Sequence, residues 1–431
     1  MKKINLFFLL CTICLMACNN ENEWNTEISK SNIEASKKRS LEEAKQIATK
    51  AIDFIDSNLS RSRNRTIDLN NIKFATSQNS RSSQTYNDTL FYVFNYADNA
   101  GFAIVSALKG TTGLLAVTEE GFYDPNSKSY KENEGFTMFM DIAKTYLTIV
   151  NESDKSVSPQ NTSGFDIITQ TETRYDSTMI GRVIPMIETR WGQTGCEATY
   201  TPNGYSGCAN TAMAQIMSYY QYPTQININY PGASINTQTL NWNGIKQHNV
   251  EHTILNCTAN EASHKAIGQL HRQLGHLTNS EYLFSSTGTN IHDVVAVFNQ
   301  LGYSVPNFSY FTQDNVIEHL SNGKPIFMVG TDPDYGGHGW VADGYLKYQI
   351  QGSEWIKELG ETDWTLAQML TPYNETFLHM NWGHDGNCNG YFRTNVFDLN
   401  SAIEYDNEGY GFPNTSLYDF STSIKYTPVS R

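Results

Sequence analysis

Residues 204–223, GYSGCANTAMAQIMSYYQYP, decide how this chain is read. Ala212, Met213, Ile216, Met217 and Tyr220 recur at helical spacing behind a Ser-Gly pair, so Cys208 falls in the first turn of a buried helix. Unpaired amides and the helix dipole there favour a thiolate, the nucleophilic form of cysteine. A small inert cysteine at a helix start is the plain alternative, and the partners found downstream weigh against it.

Residues 335–345, YGGHGWVADGY, place His338 between glycines at the entry to an apolar strand, 130 residues after Cys208. Residues 377–383, FLHMNWG, end a strand on Asn381 and Trp382. The Asn381 amide oxygen is expected to accept the imidazole proton and fix the ring's tautomer, with the Trp382 indole shielding that bond from water. Cys, His and Asn in this order, the last two well over a hundred residues on, is the papain-like spacing. In RWGQTG, Gln193 lies 15 residues before Cys208. Its side-chain amide and the Cys208 backbone amide are the expected donors to an oxyanion.

The chain has 431 residues, 30 Lys plus Arg against 44 Asp plus Glu and a net charge of −14, an ordinary globular composition that disfavours nucleic acid as a partner. Charge and histidine divide it. Residues 164–431 carry 12 basic against 25 acidic side chains and all ten histidines, from His248 to His384, so imidazole chemistry belongs there. Residues 1–17 read as a lipoprotein signal, with Lys2, Lys3 and an apolar run from Leu6 to Met16 too short to span a bilayer. Cys18 is then the lipidated end, and the product is exported to the outer membrane or cell surface, held to a membrane only by that lipid. Cys196, Cys208, Cys257 and Cys388 remain for the body, too few for a disulfide-built scaffold.

A capped helix over 40–59, with Leu41, Ala44, Ala48, Ile52 and Ile55 on one face, opens the N-terminal part. A hairpin over 89–108 and a helix over 135–150 complete a compact α+β unit. Residues 151–164 read as an interdomain linker. Beyond it, helices come first and strands afterwards, at 325–330, 339–350, 377–382 and 391–393, which argues for an α+β domain with an antiparallel sheet. HNVEH, residues 248–252, matches a zinc peptidase pattern but lacks an amphipathic helix and a third ligand, so no metal or cofactor is expected. His264, His271 and His276 are expected to be solvated or satisfied.

GCANTAMAQIMSYYQYP, GGHGWVADGY, MNWGHDGNCNGYF and SIKYTPV resemble the streptopain family of cysteine peptidases, and GFAIVSALKGTTGLLAVTEEGFYD (101–124) is similar to the propeptide of its Bacteroidetes members. The resemblance implies a papain-like domain over 164–431 made as a zymogen, with residues 18–163 as an intramolecular inhibitor and protein or peptide substrates. It also implies an apolar preference two residues before the scissile bond, to which the acidic domain adds a mild taste for basic peptides. By the match, Cys208 is the nucleophile, His338 the base, Asn381 the orienting amide, Trp382 its shield and Gln193 the oxyanion donor. Asn210 departs from the family pattern, and residues 351–376, with Trp355 and Trp364, look like an insertion. The other reading of the whole chain is a surface lipoprotein that keeps the papain-like shape for binding, its chemistry lost.

Overall fold

The computed structural model describes residues 38–57, 65–77, 88–109, 111, 113–153, 169–248, 261–332, 336–358, 361–397 and 423–431. The signal segment, Cys18, Cys257, most of HNVEH and residues 154–168 of the expected linker lie outside them.

The N-terminal helix runs Leu41–Asp56. Ser40 caps it as expected: Glu43 N donates to Ser40 Oγ at 3.2 Å and Ser40 N to Glu43 Oε2 at 2.7 Å. Its buried face is Ala44, Ala48, Ala51 and Ile55, while Leu41 is 47% exposed. The small residues let the helix lie close on the sheet.

Four strands follow in this part: β1 (Ile67–Ser77), β2 (Asp88–Tyr96), β3 (Phe102–Ser106) and β4 (Leu114–Thr118). After the helix Glu134–Ser153 come β5 (Thr169–Val183), the helix Cys208–Tyr220, β6 (Gln225–Ile228) and β7 (Asn236–Thr239). Helices Trp242–His248 and Ala262–Leu277, short strands β8 (Glu281–Tyr282) and β9 (Thr287–Gly288), and helix Ile291–Gln300 lead to β10 (Ser309–Tyr310) and helix Gln313–Ser321. The chain closes on β11 (Ile326–Asp332), β12 (Gly336–Glu358), β13 (Thr365–Met369), β14 (Tyr373–Asn381), β15 (Gly390–Arg393) and β16 (Ser423–Pro428).

One antiparallel sheet runs through both halves in the order β1-β2-β3-β4-β15-β14-β12-β11-β16-β10, with β5 and β13 also pairing β12. The N-terminal part is therefore not a unit with a sheet of its own, because β4 pairs β15 at Thr118–Gly390, Val117–Tyr391 and Ala116–Phe392. Apolar packing is shared too. Phe136, Met138 and Phe139 of the Glu134–Ser153 helix pack in one cluster with Met328, Trp340, Met380, Trp382 and Phe392. The Cys208 helix lies on the opposite face, where Ala209, Met213 and Met217 meet Phe327 and Val341. The central strands are buried on both faces, which is why they read as continuous apolar runs.

Two expectations are corrected, and the apparent insertion takes a definite form. Residues 151–153 are helix, not linker. The His338 strand is far longer than 339–350: past the β11 pairing, where Ile326 faces Ala342, that side of it is taken by β5 from Val183 opposite Tyr345 onward. Residues 351–376 supply the end of β12, all of β13 and the start of β14, building a ribbon with β5. Among the described residues no helix is long and apolar enough to cross a membrane.

Candidate active site

Gly207 precedes the Cys208 helix with φ of 89°, a left-handed conformation that a side chain resists, and a Cβ there would meet the Thr287 carbonyl oxygen at 3.0 Å. The turn delivers Cys208 as the first helical residue, its side chain part-exposed while the next ten residues are buried. Opposite, β12 presents His338, and Gly339 N donates to Cys208 Sγ at 3.4 Å. Space at 339 is tight, since a Cβ would crowd Phe327 at 3.1 Å and approach the Ala209 backbone.

Burial alone would raise the Cys208 thiol, but the His338 imidazolium and the Gly339 amide more than reverse this and hold it below its ordinary value. Burial alone would lower His338; the Cys208 thiolate and then Glu134 overturn that and push it up to about 10. The two side chains thus favour a thiolate–imidazolium pair, the state that attacks a carbonyl carbon.

The structure gives His338 a different orienting partner from the one expected. Its Nε2 sits 3.1 Å from the Trp382 carbonyl oxygen and is not bonded to the Asn381 side chain. Asn381 is fully engaged elsewhere: Nδ2 donates to Thr189 O at 2.9 Å and Gln215 Oε1 at 2.8 Å, and Oδ1 accepts from Gly383 N at 3.2 Å. It shapes the turn that aims the Trp382 carbonyl at the ring. Trp382 is fully buried, donates Nε1 to Cys388 O at 3.1 Å and lies 5.3 Å from Trp340. Trp340 stacks on His338 at 6.2 Å. Gln193 is half-buried, and its carbonyl accepts Ser206 N at 2.8 Å, which ties its segment to the turn before Cys208.

Asn210 does not line this cleft. It donates to Ser206 O at 2.8 Å and Ser280 Oγ at 3.0 Å and accepts from Thr278 at 3.1 Å, pinning the helix to the neighbouring loop. Cys388 is free and buried, its thiol pushed up by burial, whereas Cys196 is disulfide-bonded. His271 is buried with Nδ1 2.9 Å from Ile267 O, its ring 5.3 Å from Trp191. No cluster of metal-ligating side chains occurs among the described residues.

Two residues from the N-terminal part, unforeseen in the sequence, reach the site. Glu134 Oε2 lies 3.5 Å from His338 Nδ1. Gly135 lies so close that a Cβ on it would stand 2.5 Å from His338 Cδ2 and 2.6 Å from Trp382 Cε3. Asn133, which precedes them, accepts from Phe136 N at 3.2 Å and donates to Asn387 O at 3.1 Å, so the helix start is fastened to the loop after Trp382. No local motif marks Glu134 or Gly135, since their partners are about two hundred residues away.

Residues 191–392 match the Peptidase C10 family, and residues 28–147 match the Spi protease inhibitor family. Streptopain of Streptococcus pyogenes is 24% identical over 353 residues, covering 71% of this chain and 74% of its own. The thiol protease/hemagglutinin PrtT of Porphyromonas gingivalis is 21% identical over 348 residues, which cover 73% of this chain and 35% of that protein. A solved fragment of prointerpain A from Prevotella intermedia is 20% identical with a TM-score of 0.48, covering 83% of this chain and 98% of that one. With its Cys208 helix set against an antiparallel sheet, the chain is a cysteine peptidase that carries a Peptidase C10 domain over residues 191–392 behind a Spi-type inhibitor domain over residues 28–147.

Proposed function

We propose that the chain is the precursor of an exported cysteine endopeptidase in which Cys208 is the nucleophile, His338 the acid and base, and residues 18–163 the inhibitor. The observation that carries this is one imidazole with two neighbours: His338 faces the Cys208 thiolate within the peptidase domain and Glu134 from the propeptide. Once the propeptide leaves, the thiolate attacks a peptide carbonyl and forms the C–S bond. His338 donates its proton to the departing amine as the C–N bond breaks, and water, deprotonated by the same ring, hydrolyses the acyl-enzyme. In this reading the Cys208 amide and the Gln193 side chain receive the oxyanion. Trp382 holds the ring through its carbonyl, and Asn381 fixes the turn that carries it. Residues 1–17 direct export, and Cys18 carries the lipid.

The test is hydrolysis of an unfolded protein by the activated chain, with a thiol-directed peptide epoxide as a second probe. Cys208→Ala abolishes both hydrolysis and labelling. Peptidase activity retained in purified Cys208→Ala overturns the assignment.

A further inference from the structure

Beyond the thiol cleft, a second contact joins the propeptide to the peptidase, and it is buried and ionic. Past the end of β4 the strand pairing continues, with Glu119 N donating to Asn389 O at 2.7 Å and Cys388 N to Glu120 O at 3.3 Å. Glu119, 5% exposed, places Oε1 at 3.0 Å from His379 Nε2 and accepts at Oε2 from Arg190 at 2.8 Å. The other arm of Arg190 donates to Glu120 Oε1 at 2.5 Å.

The receiving groups are fixed by the peptidase fold. In the β12–β14 pairing, Ala342 faces Met380 and Gly344 faces His379, so Asp343 is an extra residue in a bulge. Bulges re-aim side chains. Here the fully buried Asp343 carboxylate binds His379 Nδ1 at 2.5 Å and accepts Ile187 N at 2.8 Å. Asp343 therefore orients the imidazole from within, and the far nitrogen points at whatever occupies the place of Glu119.

We propose that Arg190 and His379 form a carboxylate-recognition site of the peptidase domain, separate from the thiol cleft. Its ligand is an extended segment bearing an acidic pair, supplied in the precursor by Glu119 and Glu120, and this anchor sets how firmly the propeptide stays docked. The inference rests on reading residues 18–163 as the propeptide. Buried charges left without a partner are strongly unfavourable, so an occupant of the wrong charge is rejected as well as the right one held. The anchor also bears on the thiol site through a short path. Asn389 Oδ1 accepts Trp382 N at 3.0 Å, Cys388 O accepts the Trp382 indole, and Trp382 O holds His338.

The experiment is amide hydrogen exchange of β4 and β15 in full-length precursor, for Glu119→Gln, His379→Gln and the double variant. Glu119→Gln is expected to speed exchange of both strands more than tenfold, and the double variant to fall well short of the product of the singles, because both remove one interaction. Unchanged exchange in Glu119→Gln, or fully multiplicative effects, overturns the anchor. Should Glu119→Gln fail to fold, the half-exposed Glu120→Gln decides, several-fold faster exchange supporting the anchor and the wild-type rate overturning it. Alkylation of Cys208 is read in the same samples. A thiol inert in every variant and in the stripped peptidase counts against the peptidase reading and leaves the exchange result to judge the anchor.

Discussion

A methyl group added at Gly135 has nowhere to go, because the His338 and Trp382 rings stand 2.5 and 2.6 Å from its position. Neither ring yields cheaply, since Trp382 is fully buried and His338 is stacked on Trp340. Gly135→Ala is therefore expected to unseat the start of the propeptide helix and speed alkylation of Cys208 in the uncut precursor at least several-fold; an unchanged rate counts against a plug at this point. The thiol itself makes a sharper prediction, because two opposed effects act on it. Burial raises its pKa, and His338 and the Gly339 amide together reverse this, so His338→Ala removes the larger of the two lowering influences. The pH midpoint of Cys208 alkylation should then move upward. For Asn381→Ala the loss is of three hydrogen bonds around a buried turn, costing about 1–3 kcal/mol for the groups left unpaired. The expected signature is a lowered Tm together with weakened but not abolished hydrolysis, in contrast to Cys208→Ala. The meeting of Cys208 and His338 was legible because each sits in a distinctive local pattern, whereas the bond that the Trp382 indole was expected to shield is not made. That the carbonyl beside Asn381, and not its amide, would meet the ring was not legible, since both groups lie on the same turn and only the path of the backbone separates them.

Elements of mixed burial were the ones that eluded the sequence. The apolar strands and the Cys208 helix announce themselves, but β5 reads TQTETRYDSTMIGRV, with little apolar alternation over most of its length. It becomes a strand because β12 runs on past the sheet to Glu358 and offers it an open edge, a tertiary cause that composition does not carry. The insertion at 351–376 likewise has a structural use that its two tryptophans hint at only in hindsight. The Arg174 guanidinium of β5 lies 4.5 Å over Trp355 and 5.9 Å from Trp364, with Lys357 5.1 Å over Trp364 on the same ribbon. Such contacts are worth about 0.5–1 kcal/mol each at exposed sites. Trp355→Ala should accordingly loosen β5, detected as faster proteolytic nicking within 169–177. Peptide hydrolysis by the activated enzyme should stay near wild type, because the ribbon lies away from Cys208. Nicking at the wild-type rate would show that the ladder alone holds the strand.

For the whole molecule, a shared sheet means that cutting the chain and releasing the propeptide are separate events. The propeptide contributes the helix Leu41–Asp56, four strands and the helix Glu134–Ser153; Phe54 of the first helix packs on Tyr348, Phe377 and Tyr391, β4 pairs β15, and Phe139 of the second packs on Phe392, so a cut leaves a non-covalent complex. The cut itself is constrained: a protease needs an unpaired extended segment, and Thr169–Val183 is paired with β12 along its length. The mature N-terminus is expected upstream of Thr169, with β5 retained by the enzyme. What then holds the propeptide is the ionic anchor, and its pH dependence has a definite sign. Around His379 stand Asp343, Glu119 and the Tyr391 ring, and around Glu119 stand His379, Arg190 and Arg65. Burial alone would lower His379, but Asp343 and then Glu119 push it up to about 10; Asp343 stays with the imidazole when the propeptide leaves, so only the Glu119 part is docking energy, and it fades as pH rises through about 10. Burial alone would raise Glu119, but His379 and Arg190 hold it below its ordinary value; its share is complete above the usual carboxylate range and fades as pH falls through that lowered value. Neutral solution therefore holds both shares, and acid removes the second. At neutral pH the cut propeptide should co-elute with the peptidase on gel filtration and, if Cys18 is acylated, keep the enzyme with membranes. Below about pH 4, where carboxylates begin to protonate, the two should separate and the peptidase should appear in the soluble fraction. Replacing Glu119 by Gln should abolish this dependence and free the cut peptidase at neutral pH as well. Co-elution of the cut Glu119→Gln protein at pH 7 would show that the apolar interface holds the propeptide without help from the buried charges.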